Sequence, residues 1–375
     1  MNNTATDLVS RWKNGVKVHP VSPDRDGHTI HTYFNTCPES PDGRYVLFFR
    51  SLAADGQFGD ICILERATGK ERILVKDVHT EDAHRVAAQQ WVSNGKRVAF
   101  QDERDGQWLT AVVDVESGEQ RVLARGRLVG FGQPTGDLVP LYGPHWNPGE
   151  HRDLEFANVA TGEITTAVTN AAVRKEYPEY IAKSFKSAPT SIFFPILSPN
   201  GKRVFFKMSA VVSGDPTSAT ASTREGMVVY DLEKGRLIRQ LDFWGHPSWC
   251  PDSRTLVEVM NVKVDLETGR VEKIPGLPHF SGSHPSVSRD GQLYLTDAHK
   301  FDGKESEWGV VVADLNGDNY FVLHRFSMAG GAKSWRRPHP HPVFSADGQR
   351  IYFNTGAKEW TQLYYAESKG SDAID

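Results

Sequence analysis

One turn signal recurs seven times along the chain, and this recurrence limits the fold more than any other feature. A short apolar stretch leads into a Ser/Pro/Asp/Gly turn, and an apolar-aromatic run follows. The copies are PESPDGRYVLFF, QQWVSNGKRVAF, GFGQPTGDLVPLY, PILSPNGKRVFF, PSWCPDSRTLVEV, PSVSRDGQLYLT and PVFSADGQRIYF, with turns at Gly43, Gly95, Gly136, Gly201, Ser253, Gly291 and Gly348. Pro, Asp, Asn and Gly are turn chemistry; Val, Ile, Phe and Tyr suit a half-buried strand. The turns lie 38 to 65 residues apart, which fits one four-stranded sheet per copy. The spacing predicts an all-β fold, a seven-bladed β-propeller with four-stranded blades, spanning residues 1–375 as a single domain. The third and fifth copies are degenerate.

A second turn follows in six units: ATGK (67–70), ESGE (116–119), ATGE (160–163), EKGR (233–236), ETGR (267–270) and LNGD (315–318). Each is expected to join the third strand of a blade to its fourth. The seventh unit reaches TQLYYA and then SKGSDAID, without room for a fourth strand. VKVHPVS, residues 16–22, is the expected replacement. A closing strand from the N-terminal side removes an exposed sheet edge.

Composition narrows the partners. Apolar residues at 39% and charged residues at 24% are ordinary for a globular protein, and a net charge of −4 gives no basic excess to attract nucleic acid. No apolar run approaches the roughly 18 residues of a membrane span, and the first residues lack the apolar core of a secretory leader. A cytoplasmic protein without a membrane partner is expected. Cys37, Cys62 and Cys250 are too few for a disulfide framework or a thiolate zinc site.

The strand order assigns the loops to faces. Starts of innermost strands, second-to-third loops and inter-blade loops share one face. The longest irregular segments, 165–187, 208–224 and 325–338, all map there. Function is expected on that face. Seven residues before each turn residue, where the innermost strand begins, stand Thr36, Ala88, Val129, Phe194, His246, His284 and His341. The last three consecutive units each place a His-Pro at this position. A lone His-Pro is an ordinary stiff loop; three in register, from 14 histidines in 375 residues, are not expected by chance. His339 stands two residues before His341, and in a strand that spacing directs both side chains to one face. Converging neutral imidazoles suit a divalent transition metal with positions left for substrate. Nearby are His31, Arg224, Trp244, Trp335, Arg336 and Arg337, with His84 and Arg85 before the second copy. Arginine and aromatics at a channel mouth suit an anionic sugar. His145 and His151 receive no role.

The HPHPVFSADG box, with GSHPSVSRDG, GHPSWCPDS and HTYFNTC, resembles the seven-bladed propeller oligogalacturonide lyases. The resemblance implies a divalent metal, typically manganese, with zinc or calcium as alternatives. Carried over by motif, His284, His339 and His341 are the metal ligands. The family's glutamine ligand falls at Arg336, which cannot be a neutral ligand. That leaves three histidines completed by water or substrate, or a site without metal. The resemblance places the catalytic arginine at Arg224, with His246 beside it; His31, Trp335 and Arg336 are expected to bind substrate. The implied reaction is β-elimination on a short, acidic oligosaccharide. Histidine is the easier base on pKa grounds, arginine the one the family implies. Two other readings stay open: a lyase for glucuronate- or iduronate-containing fragments, and a non-enzymatic binding scaffold, since a propeller alone says nothing of catalysis.

Overall fold

The computed structural model describes residues 9–13, 15–23, 26–242, 245–275, 277, 284–300, 303–356 and 358–368. Its strands form seven four-stranded antiparallel sheets, one per repeat. Blade 1 comprises His28–Ile30, Tyr45–Ser51, Phe58–Glu65 and Lys70–His79; blade 2 comprises Gln90–Val92, Arg97–Arg104, Gln107–Asp114 and Gln120–Arg125. Blade 3 holds Leu128–Val129, Leu138–Tyr142, Leu154–Asn158 and Ile164–Val168, and blade 4 holds Thr190–Leu197, Arg203–Val211, Ser222–Asp231 and Arg236–Leu241. Blade 5 is built from Ser248–Trp249, Thr255–Glu258, Val262–Asp265 and Val271–Lys273, and blade 6 from Ser286–Val287, Leu293–His299, Glu307–Asp314 and Tyr320–Ser327. Blade 7 has Val343–Phe344, Arg350–Thr355 and Gln362–Glu367, and Lys17–Pro20 completes it, Lys17 opposite Glu367 and Pro20 opposite Tyr364. The seven-bladed architecture and its N-terminal closing strand are as the repeats predict.

Turn chemistry explains the recurrence. Gly43, Gly95, Gly201, Gly291 and Gly348 hold φ between +69° and +76°, where a side chain would be strained. In the degenerate fifth copy Ser253 takes this conformation at φ +56°, and Asp252 accepts the backbone N–H groups of Arg254 and Thr255. Between blades, apolar residues on facing sheets bury together, as Trp91, Phe100 and Val98 of blade 2 do with Phe49 and Ile61 of blade 1.

Two segments depart from expectation. Residues 165–187 are not irregular: they contain the short helices Asn170–Glu176 and Pro178–Phe185. Thr169 caps the first, its Oγ1 accepting the Ala172 N–H at 3.1 Å, and Pro178 begins the second, where a missing N–H costs nothing. Val173, Tyr180, Ile181 and Phe185 bury against blade 4. In blade 1 the innermost strand breaks after Ile30 and resumes only as a bridge between Glu39 and Val46. The intervening HTYFNTCP leaves the ladder and packs toward the ring axis.

The seam between blades 7 and 1 also carries a buried ion pair. Arg350 donates from Nε to Glu39 Oε2 at 2.8 Å and from Nη2 to Glu39 Oε1 at 3.0 Å, and the Tyr352 hydroxyl donates to the same carboxylate. Both charged side chains are almost inaccessible. Burying such a pair gains little by itself, but removing one partner strands the other in low dielectric. Arg350 keeps Asp347 and Glu367 as partners, so we expect Glu39→Ala to cost no more than about 3 kcal/mol, seen as a lower urea midpoint, whereas Arg44→Ala, on an exposed ion pair with Glu65, leaves the midpoint unchanged.

Candidate functional site

The innermost strands converge on one mouth of the channel, and the residues just before them supply its chemistry. Ala88, Phe194 and His341, equivalent positions in three repeats, have φ of +47°, +55° and +47°. Left-handed backbone at an L-residue costs about 1–3 kcal/mol and collects at functional sites. At His341 this kink precedes Val343–Phe344, so His339 and His341 meet through a bend rather than through strand alternation.

Four histidines offer ligand atoms that all lie within 4.8 Å of one another: His84, His284, His339 and His341. His284, His339 and His341 come from the register and the HPHP box. His84 enters from the loop before blade 2, and its role is clear only from the fold. His246 lies beside this group, its ring 4.6 Å from that of His284.

Hydrogen bonds behind the rings orient them. His284 Nδ1–H donates to Asp297 Oδ2 at 2.8 Å, while the His284 backbone N–H donates to Oδ1 at 2.8 Å, which turns Nε2 toward the other histidines. His84 Nδ1–H donates to the Arg337 carbonyl at 3.0 Å, which again frees Nε2. His339 Nδ1 stands 3.5 Å from His284 Nε2. His341 is fully buried, and neither of its ring nitrogens meets a hydrogen-bond partner among the described residues; His84 Nε2 is in the same position. Leaving such groups unsatisfied costs about 1–3 kcal/mol each. These donors fit a divalent cation, and each histidine–carboxylate or histidine–carbonyl contact is what a metal-bound imidazole normally keeps behind it.

Burial, then mutual repulsion, sets the protonation. His339 and His341 are held well below the ordinary histidine value by desolvation and next by His284; His84 is lowered by desolvation and next by Arg336. His246 is lowered by desolvation, then by His284 and Lys207. All four are neutral near pH 7, the form that binds metal or accepts a proton.

Opposite the histidines stands a cationic wall. Arg85 pairs with Glu81 at 2.9 Å, both buried, and its guanidinium lies 4.9 Å over the Phe194 ring. Arg224 lies 6.0 Å over Phe193, and burial together with Arg336 and Arg85 lowers it to about 10. Arg336 reaches to 3.9 Å from Asp82. The Trp335 indole N–H donates to the Glu81 carbonyl at 2.9 Å, so this ring braces the wall. His145, unassigned from the sequence, hydrogen-bonds Ser222 at 2.7 Å and approaches Glu81 at 3.6 Å. His31 is buried behind His341, its N–H held by Asn354 Oδ1 at 2.9 Å, and desolvation pushes it down to about 3. Trp244 lies outside the described residues.

Tyr33 and Phe34, from the segment that leaves blade 1, form the floor. Tyr33 stacks on Phe131 at 5.5 Å and meets His341 edge-on at 4.7 Å, while Phe34 lies 5.2 Å from His284. Asn35 Nδ2 anchors the segment by donating to the Pro247 carbonyl at 3.0 Å and to Ser248 Oγ at 2.8 Å.

Two solved oligogalacturonate lyases share this architecture along nearly the whole chain. One, from Vibrio parahaemolyticus, has a TM-score of 0.65 at 16% identity, covering 96% of this chain and 95% of that one. The other, an oligogalacturonate lyase in complex with manganese, has a TM-score of 0.66 at 17% identity, covering 95% and 94%. A chain of the mitotic checkpoint complex reaches 0.55 at 10% identity, covering 94% and 91%. These likenesses are of fold. No family model and no curated protein matches the sequence.

Two outcomes follow from this geometry. We expect Asp297→Ala to weaken divalent-metal binding by about 10- to 100-fold, read by isothermal titration calorimetry; unchanged affinity would remove Asp297 from the site. In chelated protein, imidazoles held below 6.5 let the unfolded chain take up protons first as the pH falls. Stability is therefore complete above about pH 6.5 and drops on acidification by up to ~1.4 kcal/mol per pH unit for each such histidine. Urea midpoints at pH 7.5 and 5.5 check the sign.

Proposed function

We propose that this protein is a metal-assisted lyase that cleaves short uronate-containing oligosaccharides by β-elimination, with oligogalacturonides as the substrate class. The observation that carries the reading is a buried group of four histidines at one channel mouth that Arg224 and Arg336 share. Similarity of fold to two oligogalacturonate lyases supports it.

His84, His284, His339 and His341 would hold the cation, manganese being the first candidate because one structural neighbour carries it. Bound there, a divalent cation supplies Lewis-acid stabilisation to a carboxylate whose neighbouring C–H is being ionised. Arg224 and Arg336 pair with the C6 carboxylate and favour its enolate-like charge. His246 stands outside the ligand group and is neutral, so its imidazole takes the C5 proton. The C5 electron pair forms the C4–C5 double bond as the C4–O bond breaks. The leaving oxygen takes a proton from solvent water, the His246 imidazolium returns its proton to solvent, and the products are a 4,5-unsaturated uronate and a shortened sugar. At about 10, Arg224 remains protonated near neutral pH, which fits charge neutralisation better than proton abstraction.

A binding scaffold would derive no benefit from buried imidazoles without partners. The test is the ultraviolet absorbance of the unsaturated product from oligogalacturonides and from glucuronate-containing oligosaccharides. We expect wild type to turn over the former, chelator to abolish turnover, and His341→Ala to lower kcat/KM by at least about 100-fold. A wild type inactive on every uronic oligosaccharide would remove the lyase reading. Full activity in chelator would remove the metal.

A further inference from the structure

Beneath His246 lies a buried pair of opposite charges that the elimination chemistry does not use. Lys207 belongs to the second strand of blade 4 and Glu258 to the second strand of blade 5, and both are almost wholly buried. Unpaired, either charge would be expensive at such depth. Lys207 Nζ donates to the Gly245 carbonyl. Glu258 Oε2 accepts the His246 N–H at 3.2 Å and its own neighbour's, Val259, at 2.7 Å. The two side chains thus hold the carbonyl and the N–H of one peptide group, that joining Gly245 to His246, from its two edges. Gly245 is part of the grip, because a Cβ there would collide with the Glu258 carboxylate.

The backbone is shaped to bring Lys207 to this point. It pairs with Phe193 just before the inner-strand register breaks between Phe193 and Ile196. On its other side the register breaks between Phe206 and Met208, so two outer-strand residues oppose Lys207 alone. A bulge of this kind bends a strand and re-aims a side chain, and bulges gather beside active sites. Burial lowers Lys207 and raises Glu258, so each is sensitive to losing the other.

We propose that Lys207 and Glu258 are a positioning pair that clamps the Gly245–His246 backbone and so fixes the His246 imidazole at the cleft. The proposal rests on the reading of His246 as the proton acceptor. His246 is the cleft histidine most in need of such a clamp, because it lies outside the ligand group and a cation would not hold it.

The test compares Glu258→Ala, Glu258→Gln, Lys207→Met and the double variant Lys207→Met/Glu258→Gln in metal-loaded, full-length protein. We expect Glu258→Ala to lower kcat about 100-fold with KM changed by less than about threefold, as a misplaced reacting group does. Glu258→Gln keeps an acceptor for the His246 N–H and recovers most of that loss. The double variant removes both charges together, so it is no worse than Lys207→Met alone. Independently of turnover, the His246 ring signals of 13C-histidine-labelled protein should be single in wild type and Glu258→Gln and split or broadened in Glu258→Ala. Unaltered ring signals in Glu258→Ala, or kcat within about threefold of wild type in both Glu258→Ala and Lys207→Met, would overturn the clamp. If wild type turns over no uronate, the lyase reading falls, and the ring signals alone decide whether the clamp exists.

Discussion

Desolvation of imidazoles at the ring axis is the constraint on which the site depends. A propeller brings seven innermost strands together at one small mouth, and whatever they carry there loses water. Histidine is the ionisable side chain best able to accept this near neutral pH, because it can shed its charge at modest cost. Packing several together adds mutual repulsion and lowers each further. At His84, His339 and His341 the result is uncharged imidazoles whose lone pairs must face either an unsatisfied interior or a cation. His341, with both nitrogens unpartnered among the described residues, is the sharpest expression of that tension.

The architecture was legible because its signal is local. Every blade but the third has left-handed backbone at its first turn, and the chain announces this with glycine, or once with Ser253. Closure by residues 17–20 followed from counting strands. Half of the site was legible for the same reason: His246, His284 and His341 share a register fixed by those turns. His84 was not, since it sits in a loop ahead of blade 2 and reaches the group only when the ring closes. Nor were Tyr33 and Phe34, whose segment occupies an inner-strand position in sequence but leaves the ladder in space. The long stretch between its neighbours and Gly43 is the signal that could have marked it as an insertion. Lys207 and Glu258 read as ordinary strand charges until burial is known.

The side chains around the cleft differ sharply in charge. Blades 5 to 7 and the loop before blade 2 present imidazoles; that same loop, blade 4 and the segment before blade 7 present Arg85, Arg224 and Arg336. The arginines are partly neutralised by Glu81 and Asp82, which also lock their geometry. Such compensation lets three guanidiniums crowd one mouth without an excessive unpaired charge in its walls.

Arg336 illustrates how a family pattern and a local environment are to be weighed. The resemblance assigns its position to a neutral metal ligand, a role that guanidinium chemistry forbids. His84 brings a fourth nitrogen within 4.8 Å of those of His284, His339 and His341. Arg336 faces the same mouth, and His84, His246 and His339 feel its charge. A positive charge so placed disfavours protonated imidazole and favours a bound carboxylate at once.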